Sequence, residues 1–111
     1  MYNQGDIVIV PFPFTDLTGV KQRPALVISN NGYNQKNLDI IICGITSNLE
    51  DLNYSVILEK RDLSSGFIIL KSLVKVDKIT SIDKTIIRNK IATIKPSKLQ
   101  EVFKILDRII K

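Results

Sequence analysis

The chain contains no histidine and a single cysteine among its 111 residues. Each scarcity removes a class of chemistry. Without histidine there is no Ser-His-Asp triad, no Cys-His pair and none of the common histidine-based zinc sites. The histidine acid–base pair usual in RNA-cleaving enzymes is excluded too. Any catalysis therefore falls to Arg, Lys, Asp, Glu, Ser, Thr, Tyr or Cys43. A lone cysteine forms no internal disulfide, which suits a cytoplasmic location. With Ile42 and Ile45 beside it, Cys43 reads as a small hydrophobe of a buried strand. Long apolar runs are missing as well. Those at residues 40–42 and 66–70 are too short to span a bilayer, so no membrane association is expected. The start, Met1-Tyr2-Asn3-Gln4-Gly5-Asp6, lacks the basic and apolar stretches of a signal peptide. The carboxylates are scattered, so neither a metal nor another cofactor is expected.

Apolar content is ordinary for a globular protein, and residues 1–111 read as one domain. A chain this short has much surface for its volume, which favours a two-fold homodimer. The net charge of +5 suits a polyanion such as RNA, or an acidic protein.

The first three-quarters alternates β-rich runs with turns. Residues 6–12 (Asp-Ile-Val-Ile-Val-Pro-Phe) are short and β-branched, a first strand that Pro11 and Pro13 end or confine to an edge. Residues 15–22 form a polar loop with Asp16, Thr18 and Gly19, and residues 23–29 a second strand. Residues 30–37 are turn-rich, with room for one helical turn. Residues 38–45 are too continuously apolar to alternate, so this third strand is expected to bury both faces. Residues 48–53 are a turn, 54–59 a fourth strand, and 66–76 a fifth, bent or bulged. Residues 78–82 and 88–94 add short strands around a turn at 83–87. At the end, Leu99, Val102, Phe103, Leu106 and Ile110 share one helical face, and Ser97 with Gln100 suggests a capping box. The expectation is a mainly β fold: a small barrel of five to seven strands closed by one C-terminal amphipathic helix.

Three segments carry a resemblance: Gly5-Asp6-Ile7-Val8-Ile9-Val10-Pro11-Phe12-Pro13-Phe14 with the loop after it, Arg23-Pro24-Ala25-Leu26-Val27-Ile28-Ser29, and Ile45-Thr46-Ser47. A weaker fourth runs Ser72-Leu73-Val74-Lys75-Val76-Asp77-Lys78-Ile79 and on to Ile82-Asp83-Lys84. In this order and spacing the chain resembles the MazF/PemK family of type II toxin–antitoxin toxins. The resemblance implies an SH3-like barrel with a C-terminal helix. It implies a metal-independent endoribonuclease that cuts single-stranded RNA at a short sequence. It also implies a homodimer and a cognate antitoxin whose acidic, disordered tail covers the RNA groove.

Metal-free RNA cleavage uses the substrate 2′-hydroxyl as nucleophile and leaves a 2′,3′-cyclic phosphate and a 5′-hydroxyl. The site must take the 2′ proton, protonate the leaving oxygen and stabilise charge on the phosphate. The resemblance marks Arg23 as catalytic, and its planar fork can hold two phosphate oxygens. It marks Thr46 likewise, against the plainer reading of a turn-forming hydroxyl; Ser47 either assists or starts the turn. Asp77 resembles a position where some family members carry a base, with Lys75 standing where they carry an arginine. Lys75 remains a candidate phosphate ligand. Asp6 is a second candidate carboxylate, and both it and Asp77 also read as turn or surface acids. For RNA binding, Phe14 either stacks a base or plugs the barrel. Asp16, Lys21 and Gln22 lie in or beside the same loop. Two other readings stay open: a CcdB-like toxin that binds a protein such as gyrase, and a nucleic-acid-binding barrel without catalysis.

Overall fold

The computed structural model describes residues 1–11 and 22–111. Among these residues seven strands and two α-helices follow one another: β1 (Asp6–Pro11), β2 (Gln22–Val27), α1 (Asn31–Lys36), β3 (Asp39–Thr46), β4 (Ser55–Leu58), β5 (Leu63–Gly66), β6 (Ser72–Asp83), β7 (Asn89–Ile94) and α2 (Pro96–Ile110). The strands form one sheet in the order β4-β6-β3-β2-β1-β7-β5, and every pairing is antiparallel. The sheet curls into a half-barrel whose edges are β4 and β5.

Curling gives the central strands two buried faces. On one, Ile7, Leu26, Cys43, Ile45, Val74 and Val76 pack beneath α2. On the other, Val8, Val10, Ala25, Val27, Ile40 and Ile42 form a second cluster. The alternation of side chains along a strand sends successive residues of β1 and β2 to opposite clusters. β3 follows the same rule, with Ile40 and Ile42 in one cluster and Cys43 and Ile45 in the other. Its apolar run has the two-sided burial read from the sequence from Ile40 onward, although Ile41, Gly44 and Thr46 stay half-exposed and Leu38, ahead of the strand, is 83% exposed. Cys43 is a fully buried core residue.

The structure divides the expected fifth strand differently. β5 ends at Gly66, the chain leaves the sheet through Phe67–Lys71, and pairing resumes at Ser72. Gly66 has φ +77°, and a Cβ there would lie 2.1 Å from the Ile91 carbonyl oxygen. Only glycine allows β5 so close to β7. The separate strand expected at 78–82 is instead the second half of β6. A bulge divides that strand: Cys43 pairs with Ile79 but the next residue, Gly44, with Lys75. The three residues skipped there break the period, so one long strand reads as two.

α2 packs on β4 and β6 and buries Val102 completely, with Leu99, Ile105, Leu106 and Ile109 against the same cluster. Ile110, expected on the buried face, is 65% exposed. The helix start also differs from the expected Ser97–Gln100 capping box. Pro96 occupies its first turn after Lys95, which makes no side-chain cap. Proline presets the helical φ and lacks the N–H that a cap would satisfy, so the helix begins before Ser97. No helix among the described residues is long and apolar enough to cross a membrane.

Candidate active site

The register between β2 and β3 assembles the site. Ala25 faces Gly44, and Leu26 faces Cys43. Continued by two residues, this antiparallel pairing sets Arg23 opposite Thr46. Both line one depression of about 160 Å³ together with Pro24, Gly44, Ile45, Lys75 and Lys78. Arg23 is half-buried at the second position of β2. It also lines a larger groove of about 640 Å³. The walls there are mostly apolar, including Ile7, Ile9, Ile45 and Phe67, while Ser47, Ser72, Asn89 and Lys90 add polar groups. Arg23 therefore stands where the two depressions meet.

Thr46 ends β3, and its Oγ1 accepts a hydrogen bond from the Asn48 N–H at 3.1 Å. With a lone pair so engaged, the hydroxyl proton is directed elsewhere and can be donated to an oxyanion. A guanidinium and a hydroxyl in one open depression make a site for a tetrahedral anion.

Lys75 takes a different place from the one its charge suggests. It is 7% exposed, and its ammonium donates to the Asp51 carbonyl at 3.1 Å, the Asn53 carbonyl at 2.9 Å and the Ser55 hydroxyl at 2.8 Å. Those three bonds use all its donors. The Asp51 carboxylate lies 3.3 Å from the same nitrogen. A hydrogen bond from Asn53 and then the Lys75 ammonium hold the Asp51 carboxyl below the ordinary carboxylate range. Asp77 sits in the β6 bulge, 3.9 Å from the Lys75 ammonium. It lines neither depression, and no carboxylate among the described residues does. Burial first, and the Asp77 charge second, push the Cys43 thiol up to about 12.

Asp6 is 2% exposed. Its carboxylate accepts from the Asn3 N–H at 2.8 Å and the Thr93 hydroxyl at 2.9 Å, clasping the start of β1 to β7. Gln22 opens β2, exposed and paired with Pro11. Phe14, Asp16 and Lys21 lie outside the described residues. Sequence reasoning did not single out Lys78, Lys90 or Asn89 for the site. Each comes from a strand whose place beside Arg23 depends on pairings distant in sequence. Among the described residues, no three of His, Cys, Asp or Glu come together as metal ligands.

The profile of the family described as PemK-like, MazF-like toxin of type II toxin–antitoxin system matches residues 3–110. Solved structures share the fold. MazF from Deinococcus radiodurans superposes with a TM-score of 0.77 at 24% identity, covering 98% of this chain and 96% of that one. An endoribonuclease from a Mycobacterial species, in complex with its cognate antitoxin, gives 0.78 at 19% identity, covering 97% and 93%. The Mycobacterium tuberculosis toxin MazF-mt6 gives 0.73 at 17% identity, covering 93% of each chain. No curated protein matches the sequence.

Proposed function

The chain belongs to the PemK-like, MazF-like toxins of type II toxin–antitoxin systems, and from that premise we propose that it is a metal-independent endoribonuclease cutting single-stranded RNA at a short sequence. The observation that carries the proposal is the meeting of Arg23 and Thr46 in one depression. In the reaction, the 2′-oxygen attacks the neighbouring phosphorus as its proton is removed. The bond from phosphorus to the 5′-oxygen breaks, and that oxygen takes up a proton. The ends are a 2′,3′-cyclic phosphate and a 5′-hydroxyl. Arg23 holds the non-bridging oxygens as their charge grows, and Thr46 donates a hydrogen bond to the same group. With a pKa above about 12, the guanidinium serves as a fixed charge and not as the base. Ser47 contributes a second hydroxyl, from the neighbouring groove. Asp77 acts from outside the depression.

The partners follow from the same reading. The apolar groove beside Arg23 and the exposed Phe67, Ile69 and Leu70 at its rim offer surface for a second copy of the chain and for a cognate antitoxin. The similar Mycobacterial endoribonuclease was solved with such an antitoxin.

Pure protein incubated with single-stranded RNA, followed by sequencing and chemical typing of the new ends, tests the activity. Arg23→Ala should slow cutting on the order of 100- to 1000-fold, the usual cost of losing one oxyanion donor. Arg23→Lys should rescue in part, because a point charge cannot reproduce the fork. Thr46→Ala should also slow cutting, while Thr46→Ser should keep much of the activity. RNA left intact would favour a toxin that poisons a protein, and RNA bound without cutting would favour a non-catalytic barrel.

A further inference from the structure

The turn into β4 holds the one non-glycine residue with positive φ among the described residues, Tyr54, at 49°. A bulky residue in this left-handed region is uncommon and strained. Asn53, directly before it, is of a type that tolerates the conformation far better. Such strain persists only where the surroundings over-determine it. Here they do. The Lys75 ammonium bonds the Asp51 and Asn53 carbonyls and the Ser55 hydroxyl, and the Val76 N–H donates to the Tyr54 carbonyl at 3.0 Å. All four bonds fix backbone or a neighbour. None uses the Tyr54 ring, which is 46% exposed. Glycine would serve this turn better for folding, so the fold alone gives no reason for an aromatic.

Position supplies a reason. Ser55, Lys75 and Gly44 lie in line across β4, β6 and β3. Gly44 and Lys75 both line the depression that holds Arg23 and Thr46. Strands lie about 4.8 Å apart, so Ser55 stands about 5 Å from the Lys75 backbone and about 10 Å from that of Gly44. One lysine side chain thus forms part of the site and, at its tip, locks the turn that displays Tyr54. We propose that Tyr54 is a base-stacking residue of the RNA path, gripping a nucleotide beside the one that is cut, with Lys75 as the residue that positions it. This rests on the RNA-cutting reading of the Arg23–Thr46 site. Every base offers a π-face, so the contact supplies affinity with little sequence preference.

The chain contains no tryptophan, which gives a direct test. Tyr54→Trp in an Arg23→Ala background places one fluorophore at the turn of a protein that does not consume its ligand. Titration with a short mixed-sequence single-stranded RNA should quench it. Tyr33→Trp, on α1 beyond the opposite end of β3, should stay bright. In the Arg23→Ala background, Tyr54→Gly should weaken RNA binding on the order of 10- to 100-fold, while the protein melts at or above the temperature of its parent because strain is relieved. Tyr54→Phe should bind as the parent does. With Arg23 intact, Tyr54→Gly should raise KM and leave kcat nearly unchanged.

Several results would overturn the proposal: an unquenched Tyr54→Trp in a protein that binds the RNA, full RNA affinity in Tyr54→Gly, or lost thermal stability in Tyr54→Gly. A changed mass of Tyr54→Gly by light scattering would make the ring an interface residue and overturn it too. If wild-type protein cuts RNA and the Tyr54 variants match it, the stacking role alone fails. If wild-type protein neither cuts nor binds RNA, the reading of the whole site fails with it.

Discussion

Replacing Lys75 by methionine keeps most of the length and packing of the side chain and removes its charge. The wild-type ammonium makes three hydrogen bonds, and a bond to a charged group is worth about 1.5–3 kcal/mol. Adding them would give a severe loss, but two effects work against that total. A lysine 7% exposed has given up most of its hydration, at a cost of several kcal/mol that the apolar methionine avoids. The acceptors, moreover, belong to a surface turn in which Asp51 and Asn53 are exposed, so they regain water. The expected net loss is about 1–2 kcal/mol, a fall of roughly 5–10 °C in melting temperature for a chain of this size. The change should be local: amide exchange across residues 51–55 should rise while that of β1, β2 and β3 stays slow. The Asp51 carboxyl should titrate closer to its ordinary value, with part of the depression kept by the Asn53 N–H. RNA binding distinguishes this account from one in which Lys75 meets phosphate. A lost phosphate contact lowers the salt dependence of binding by about one unit of slope, whereas a loosened turn weakens binding equally at every salt concentration. A loss above about 4 kcal/mol, or a shallower salt slope, would refute the reasoning.

Gly66→Ala puts a methyl group 2.1 Å from the Ile91 carbonyl oxygen and 2.5 Å from the Ala92 Cα; β5 must leave β7, so urea titration should show a loss of about 3 kcal/mol or more, and a midpoint near wild type would contradict the close approach. Cys43 is buried with its thiol pushed up to about 12, so iodoacetamide near neutral pH should label it only as fast as the protein unfolds, and labelling within seconds in native buffer would show an opening absent from this structure. RNA cutting should persist in excess EDTA, since the proposed reaction uses the Arg23 charge where other nucleases use a cation; loss on chelation with recovery in magnesium would overturn the mechanism.

The parts of the fold legible in the sequence were those set by local pattern. The β-branched run after Gly5, the two-sided burial of residues 40–45 and the helical spacing after Pro96 all depend on near neighbours. The misreadings arose where distant backbone decides. Nothing near Gly66 in the sequence shows that Ile91 lies against it, so the end of β5 was missed. The Ser97–Gln100 pattern competed with Pro96 one residue earlier, and proline's fixed φ prevailed. The surroundings of Lys75 are likewise set by distant backbone: its charge suggests phosphate, and the folded turn supplies the carbonyls of Asp51 and Asn53 to which it donates.

The site shows the same division in its chemistry. Arg23 and Thr46 are separated by β2, α1 and most of β3. They meet because the pairing of Ala25 with Gly44 sets both side chains on one face of the sheet. A slip of one residue would turn either toward the opposite core. Asp77 follows Lys75 by two residues, so regular alternation would place it on the Lys75 face. The β6 bulge intervenes: Gly44 already pairs with Lys75 and Cys43 with Ile79, so Asp77 has no β3 partner and stays off the wall of the depression. The bulge therefore separates Arg23 and Thr46 from the nearest acid suggested by sequence. Arg23 and Thr46 line one depression, the position from which the proposed charge stabilisation acts.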